Sequence, residues 1–232
     1  MEIEYAFLDR EDAGKRLAKA FEEYRGTELV VVAVPRGGVP VACQVARRLR
    51  CQVDLVIPRK LPIPWNPEAG FGAVTSDGAL VLNRGMVKAV GLRDDEVEAI
   101  AAQQREEVER RTADYRRFFP PVEVGGRPVA IVDDGLASGY TMLAAVESVR
   151  MRQPSDVIVA VPVASASAAK LVEASVDSLI CLVVSHEVPF AVADFYINWR
   201  DLTDEDVNQY MRAAKQQGLP RIADPQRSEN ST

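Results

Sequence analysis

Residues 129–142, VAIVDDGLASGYTM, constrain the fold of this chain more than any other stretch. An apolar run passes directly into two acids, then a turn of small residues, then a helical pattern. Val129, Ala130, Ile131 and Val132 suit a strand buried on both faces of a parallel sheet. Gly135, Ala137, Ser138 and Gly139 allow a tight turn with inward N–H groups, and a helix starting near Tyr140 adds the positive end of its dipole. The segment Gly135, Leu136, Ala137, Ser138, Gly139, Tyr140 and Thr141 is therefore read as a phosphate cradle. Asp133 and Asp134 precede it and suit vicinal hydroxyls rather than the phosphate, so the motif describes a site for a phosphorylated sugar. The competing reading is an acidic pair closing a strand of another α/β protein, such as a receiver domain. A receiver needs a phosphoacceptor Asp after a later strand, and the next strand-like run, 156–162, ends without one.

Two further segments carry anion-binding chemistry. The apolar run Leu29 to Val34 leads into Pro35-Arg36-Gly37-Gly38-Val39-Pro40 and a helical pattern. Paired glycines let backbone amides approach an anion closely, and Arg36 adds a charge-assisted donor; a purely structural turn is the alternative. Downstream, the run Asp54 to Pro58 is read as a strand ending in two adjacent cations, Arg59 and Lys60. That strand is expected to end on the same edge of the sheet as the other two motifs, where ligands of open α/β sheets collect; a solvated basic pair is the alternative.

Together these motifs resemble the type I phosphoribosyltransferases. The 129–142 segment is similar to their motif for 5-phosphoribosyl-1-pyrophosphate (PRPP), Arg36-Gly37-Gly38 to their pyrophosphate loop, and Arg59-Lys60 to the basic pair with which adenine phosphoribosyltransferases meet pyrophosphate. The resemblance extends over roughly residues 5–215. It is strongest to a set of bacterial and archaeal predicted phosphoribosyltransferases of unassigned acceptor, through P-R-G-G-V-P, the R-K step, Asn66 to Val74 and V-D-D-G-x-A-S-G-x-T-M. It implies an α/β fold with a mainly parallel, Rossmann-like sheet flanked by helices, a small hood and a flexible loop. It also implies transfer of a phosphoribosyl group from PRPP to a nitrogen nucleophile, with loss of pyrophosphate. Asp133 and Asp134 would take the ribose hydroxyls and 135–141 the 5′-phosphate, while Arg36, Arg59 and Lys60 neutralise the leaving group. Mg²⁺ would be held mainly through PRPP or pyrophosphate, with no certain protein ligand. A homodimer is expected on the same basis. In the related xanthine-guanine enzymes the peptide before the first loop glycine can be cis, which suggests a cis bond at Arg36-Gly37.

The acceptor is left open. Hypoxanthine-guanine and xanthine-guanine enzymes carry an Asp where this chain has Ala137, which argues against a 6-oxopurine bound in their manner. Phe190, Phe195, Tyr196 and Trp199 are the candidates for a surface that stacks on a base, with core packing as the alternative. His186 is the only histidine, and no G-x-S-x-G elbow supports hydrolase chemistry around it. Two rival functions remain beside the transferase: a PRPP-binding regulator without turnover and a hydrolase of phosphorylated sugars.

Composition bounds the problem. At 232 residues, 47% apolar and 27% charged, the chain can bury a full core, and its net charge of −6 argues against coating nucleic acid. Apolar runs are strand-sized and no N-terminal signal is visible, so a cytoplasmic location without membrane partners is expected. Cys43, Cys51 and Cys181 are odd in number and lie in apolar contexts, which favours buried thiols over disulfides.

One domain over 1–217 is expected, with a polar 218–232 tail lacking fixed structure. Strands are read at 29–34, 52–57, 129–133, 156–162 and 178–184. Helices are read at 11–25, 39–50, 140–152, 165–174 and 201–217, the last capped near Thr203. Residues 61–120 form an insertion: a proline- and glycine-rich loop, a short hairpin strand near 71–74, and a long charged helix at 94–117. The loop, 61–78, is placed where a water-excluding cover would close, a static surface loop being the alternative.

Overall fold

The computed structural model describes residues 6–117 and 119–216; the expected tail at 218–232 lies outside them. The chain begins with α1 (Arg10–Leu17), a 3-10 helix (Ala18–Tyr24), β1 (Val30–Ala33), α2 (Gly38–Leu49) and β2 (Gln52–Leu55). There follow β3 (Arg59–Ile63), β4 (Asn66–Val74), β5 (Leu80–Leu82), α3 (Arg84–Val90) and α4 (Asp94–Arg116). The remainder comprises β6 (Pro128–Val132), α5 (Tyr140–Arg150), β7 (Asp156–Ser165), α6 (Ala166–Glu173), β8 (Ser178–Ser185), a 3-10 turn (Val192–Phe195) and α7 (Asp204–Gln216).

Five strands form a parallel sheet in the order β2-β1-β6-β7-β8, as the apolar runs predict. Strand periodicity sorts its side chains. Val31, Ala33, Ala130 and Val132 pack with α2 and α7 on one face; Val30, Val32, Val129 and Ile131 pack with α5 and α6 on the other. Both faces are dry, so each strand reads as continuous Val, Ile and Ala rather than as alternation, and each buried Val contributes about 1.5–3 kcal/mol. α7 starts at the expected cap: Thr203 Oγ1 accepts from Asp206 N at 3.1 Å, and Asp206 Oδ2 accepts from Thr203 N at 2.8 Å. Among the described residues no helix is long and apolar enough to cross a membrane.

The insertion departs from its expected shape. Residues 59–82 form a second, antiparallel sheet, β3-β4-β5, instead of a loop followed by one short strand. Pro62 is accommodated because the β3–β4 register shifts on either side of it. The hairpin is held by apolar burial: Leu61, Ile63, Phe71 and Val74 meet Val97 and Ala101 of α4. Proline and glycine there mark irregular pairing and close backbone approach. At Gly72 an added Cβ would run into the Val81 carbonyl.

A buried ion cluster ties this insertion to the main sheet. Asp54, on β2, has a fully buried side chain that meets Arg116 at the end of α4 and Arg152 just beyond α5. Arg116 also donates to the Leu55 carbonyl at 2.9 Å, and Arg152 donates to the Val122 carbonyl. Deleting the carboxylate would strand two guanidinium groups, and breaking a buried pair from one side costs on the order of 3–5 kcal/mol. We therefore expect Asp54→Ala to lower the urea midpoint sharply, while Asp95→Ala, which removes a fully exposed partner of Arg93, leaves it unchanged. Equal midpoints for the two variants would show that the cluster is not what joins the insertion to the sheet.

Candidate active site at the carboxyl edge of the main sheet

β1 and β6 are neighbours, but their following helices leave in opposite directions, α2 to one face and α5 to the other. Such a switch opens a crevice beyond the strand ends. Two loops far apart in sequence meet there. Val34 N donates to the Val132 carbonyl at 2.9 Å, and Gly38 N to the Val34 carbonyl at 3.0 Å. A Cβ on Gly38 would lie 2.5 Å from the Val132 carbonyl oxygen and 2.8 Å from Asp133 Cα, and one on Gly37 would overlap the Asp134 carboxylate. The paired glycines thus let the 35–38 loop seat directly against the acids. The cis peptide in this loop is Pro35-Arg36, one bond earlier than the family resemblance suggested.

The acids are half-buried and adjacent. Asp133 Oδ1 accepts the Asp134 backbone N–H at 2.8 Å. Burial, reinforced by the neighbouring Asp134 charge, pushes the Asp133 carboxyl well above the usual carboxylate range. Burial raises Asp134 too, but Arg10 pulls it back. Arg10 Nε lies 2.7 Å from Asp134 Oδ2, its Nη1 donates to the Arg200 carbonyl at 2.9 Å, and its guanidinium carbon lies 3.7 Å from the centroid of the Trp199 ring. The Tyr196 hydroxyl donates to the Asp134 carbonyl at 2.7 Å.

The turn after the acids is anchored from below. Leu136 is buried and exchanges backbone bonds with Val163 and Ser165, each at 2.9 Å, and the Ser165 hydroxyl donates to the Ala137 carbonyl at 2.8 Å. Ala137 and Ser138 are left exposed at the crest. Gly139 then adopts a left-handed φ of 82° as the cap of α5, so Tyr140, Thr141 and Met142 open the helix with N–H groups that lack a carbonyl one turn back. The arrangement can receive an anion.

Of the three cations, Arg36 belongs to this junction. It is exposed and close enough to contribute to lowering the Asp204 carboxyl, where burial works the other way and the Tyr115 hydroxyl and Arg111 add to the pull. Asp204 accepts from the Tyr115 hydroxyl at 2.5 Å and from Arg111 at 3.2 Å. Arg59 and Lys60 do not end a strand of the main sheet, which corrects the expected placement: β2 stops at Leu55, and both residues open β3 of the second sheet. Strand alternation turns them apart. Arg59 Nε donates to Gln104 of α4 at 2.6 Å, with Glu107 at 3.8 Å, while Lys60 Nζ donates to the Glu68 carbonyl at 2.6 Å and its stem crosses Gly70. Gln104, Glu107 and Arg111 share one face of α4, so Arg59 and the Arg111–Asp204 pair near Arg36 are about 10 Å apart along that helix.

The aromatic candidates divide. Tyr196 is only 2% exposed and packs on Phe7 with ring centroids 5.4 Å apart, so it offers no face to a base and is corrected to a core residue. Trp199 has a face occupied by Arg10. Phe190 and Phe195 pair at 5.5 Å and remain half-buried. His186 is exposed beyond the end of β8. Arg10 was not among the residues singled out from sequence, although a signal existed: it continues the buried stripe of α1 formed with Ala13 and Leu17, an unusual place for a charge. Arg10 and Trp199 also border a cavity of about 420 Å³ lined by Asp9, Glu11, Asn198 and Tyr210.

A phosphoribosyl transferase domain family model matches residues 7–61 and 77–198. Two Mycobacterium tuberculosis proteins, each named as a putative phosphoribosyl transferase (Rv0571c of strain H37Rv and MT0597 of strain CDC 1551), are 36% identical over 208 residues. That alignment covers 90% of this chain and 47% of theirs, so the chain spans about half the length of the curated relatives it matches. The crystal structure of TT1426 from Thermus thermophilus superposes with a TM-score of 0.74 at 40% identity, covering 88% of this chain and 97% of that one. This chain belongs to the type I phosphoribosyl transferase family.

Proposed function

We propose that this chain moves the 5-phosphoribosyl group of PRPP to a nitrogen nucleophile, a nucleobase in the simplest case, with release of pyrophosphate. The observation that carries this reading is the seating of Gly37 and Gly38 against Asp133 and Asp134, which sets a glycine-rich loop, an acid pair and a helix N-terminus side by side. PRPP has its pyrophosphate, diol and 5′-phosphate in that same adjacency. The nitrogen lone pair would form a bond to C1 as the bond from C1 to pyrophosphate breaks, with inversion. Arg36 would stabilise charge on the departing group, joined by Arg59 across α4, whereas Lys60 would reach it only after leaving the Glu68 carbonyl. Asp133 and Asp134 would hold the diol, and the amides of 135–141 the 5′-phosphate.

Mg²⁺ fits here as a partner of the substrate. Asp134 is already paired with Arg10, and among the described residues no three His, Cys, Asp or Glu side chains gather at one point. Bound to pyrophosphate oxygens, the ion would supply further neutralisation of the leaving group. Phe190 and Phe195 remain the stacking candidates for an acceptor. A homodimer in the cytoplasm completes the reading.

One observation favours a second reading, a PRPP-binding regulator without turnover: Tyr196 is buried and a face of Trp199 is taken by Arg10, so these two of the four aromatic candidates are spent on structure. Pyrophosphate release from PRPP, assayed with Mg²⁺ against a panel of nucleobases, separates the cases. Base-dependent release is expected; release that ignores the base would mean a hydrolase, and tight binding without release would mean the regulator.

Asp133 supplies a second test through stability. Because its folded-state pKa lies above the unfolded value, its contribution favours folding at pH below the unfolded value and is lost as pH rises through the folded one. Asp133→Asn keeps the acceptor for Asp134 N–H but removes the buried charge. We expect that variant to melt higher than wild type at pH 8, by about 2–4 °C per kcal/mol recovered, with the gap closing toward pH 4. The same variant should bind PRPP roughly ten- to a hundredfold more weakly. Unchanged PRPP affinity would remove Asp133 from the sugar site.

A further inference from the structure

The geometry points to Arg10 as the positioning residue of the sugar site, a side chain that sets the rotamer of Asp134 so that its second carboxylate oxygen stays available to a ribose hydroxyl. This inference rests on the function proposed above and adds a residue to it.

Arg10 lies on the stripe of α1 that faces the protein interior, 8% exposed, in line with Ala13 and Leu17. A guanidinium there is costly unless its donors and its face are matched. They are matched by three groups that converge on the guanidinium: the Asp134 carboxylate, the Arg200 carbonyl and the Trp199 ring.

The form of the contact matters more than its existence. An arginine whose task is to neutralise a carboxylate grips both oxygens with its two-pronged fork. Arg10 instead donates from Nε to Oδ2 and sends Nη1 to Arg200. The fork is therefore split, and Oδ1 of Asp134 is not taken by it. On the same residue the Tyr196 hydroxyl fixes the backbone carbonyl at 2.7 Å. Tyr196, Trp199 and Arg200 all belong to one short segment after β8. This segment and α1 therefore hold Asp134 at both its main chain and its side chain, while Gly37, lacking a Cβ, packs its main chain against one side of the carboxylate. A residue held by so many contacts is oriented, and a preoriented acceptor binds a hydroxyl without having to order itself first.

The test compares two ligands by calorimetry, each with Mg²⁺: PRPP, which presents a ribose diol, and inorganic pyrophosphate, which does not. Arg10→Gln is expected to weaken PRPP roughly ten- to a hundredfold and leave pyrophosphate unchanged, and Arg10→Lys to recover part of the PRPP affinity. A role confined to folding would weaken both ligands together and would show no rescue by lysine. Trp199→Leu, which removes the ring over the guanidinium but keeps the ion pair, should give a smaller loss in the same direction, and it serves where Arg10→Gln does not fold. Wild-type PRPP affinity in these variants, or an equal loss of both ligands, overturns the inference alone. A wild-type chain that binds pyrophosphate and not PRPP overturns the proposed reaction and the inference with it.

Discussion

Two adjacent carboxylates, half-buried where two strand ends meet, are the constraint around which the rest of this edge is built. Asp133 and Asp134 repel one another and have lost much of their water, so each neighbour must offset part of that cost. The 35–38 loop can approach because residues 37 and 38 carry no Cβ, and the main chain of Asp134 contributes an N–H to Asp133. Arg10 comes from near the start of the chain, 124 positions away, to partner Asp134. None of these contacts is an economical way to build a core. A pair of apolar residues after β6 would pack with less compensation, and destabilising local chemistry kept in a crevice is the ordinary mark of a site whose binding requires it.

Topology explains why the acids sit in a crevice. β1 sends α2 to one face, and β6, its direct neighbour, sends α5 to the other. Between diverging helices the strand ends are uncovered, and the first turn of α5 brings its free N–H groups to the gap, whereas in α2 Gly38 and Val39 donate back to the Val34 and Arg36 carbonyls and Pro40 has no N–H. The end of β7 and the segment after β8 finish the walls: Ser165 supports the turn at Ala137, and the segment from Phe195 to Arg200 folds back over α1 through Phe7 and Arg10.

Much of this was legible in the residues. Runs such as Val30–Ala33 and Val157–Val161 are buried on both sides, and that state leaves a contiguous apolar signature that cannot be confused with a surface strand. The strand, acids, turn and helix at 129–142 were readable because each step uses a residue type with few alternatives. The hairpin at 59–74 was not, since Pro62, Gly70 and Gly72 carry a loop signature locally and become strand residues only through apolar contacts with α4, well over twenty positions downstream. Arg59 and Lys60 were misplaced for the same reason: β2 ends at Leu55, and nothing in the three residues Val56-Ile57-Pro58 before Arg59 announces a change of sheet. Asp54 and Arg10 illustrate a further limit. Their partners lie 62 and 124 positions away, and only tertiary structure pairs them.

α4 makes one mechanical unit of parts that would otherwise be independent. At its far end Arg116 is tied to Asp54 on β2; Tyr115 beside it and Arg111 one turn before Tyr115 meet Asp204 at the start of α7; two turns before Arg111, Gln104 receives Arg59 from the second sheet. Tyr115 is buried against the main core while Val97 and Ala101 belong to the core of the hairpin, so one rigid rod spans both. Its length between those anchors is about 20 Å, far stiffer than the loops it connects. Arg36 is carried by the loop that seats against the acid pair, Arg10 braces Asp134, and the α5 N-terminus follows the acids directly in the chain. Under the proposed function a ligand diol would donate to the carboxylate oxygens that the Asp134 N–H and Arg10 leave free, adding to the donors the two acids already have.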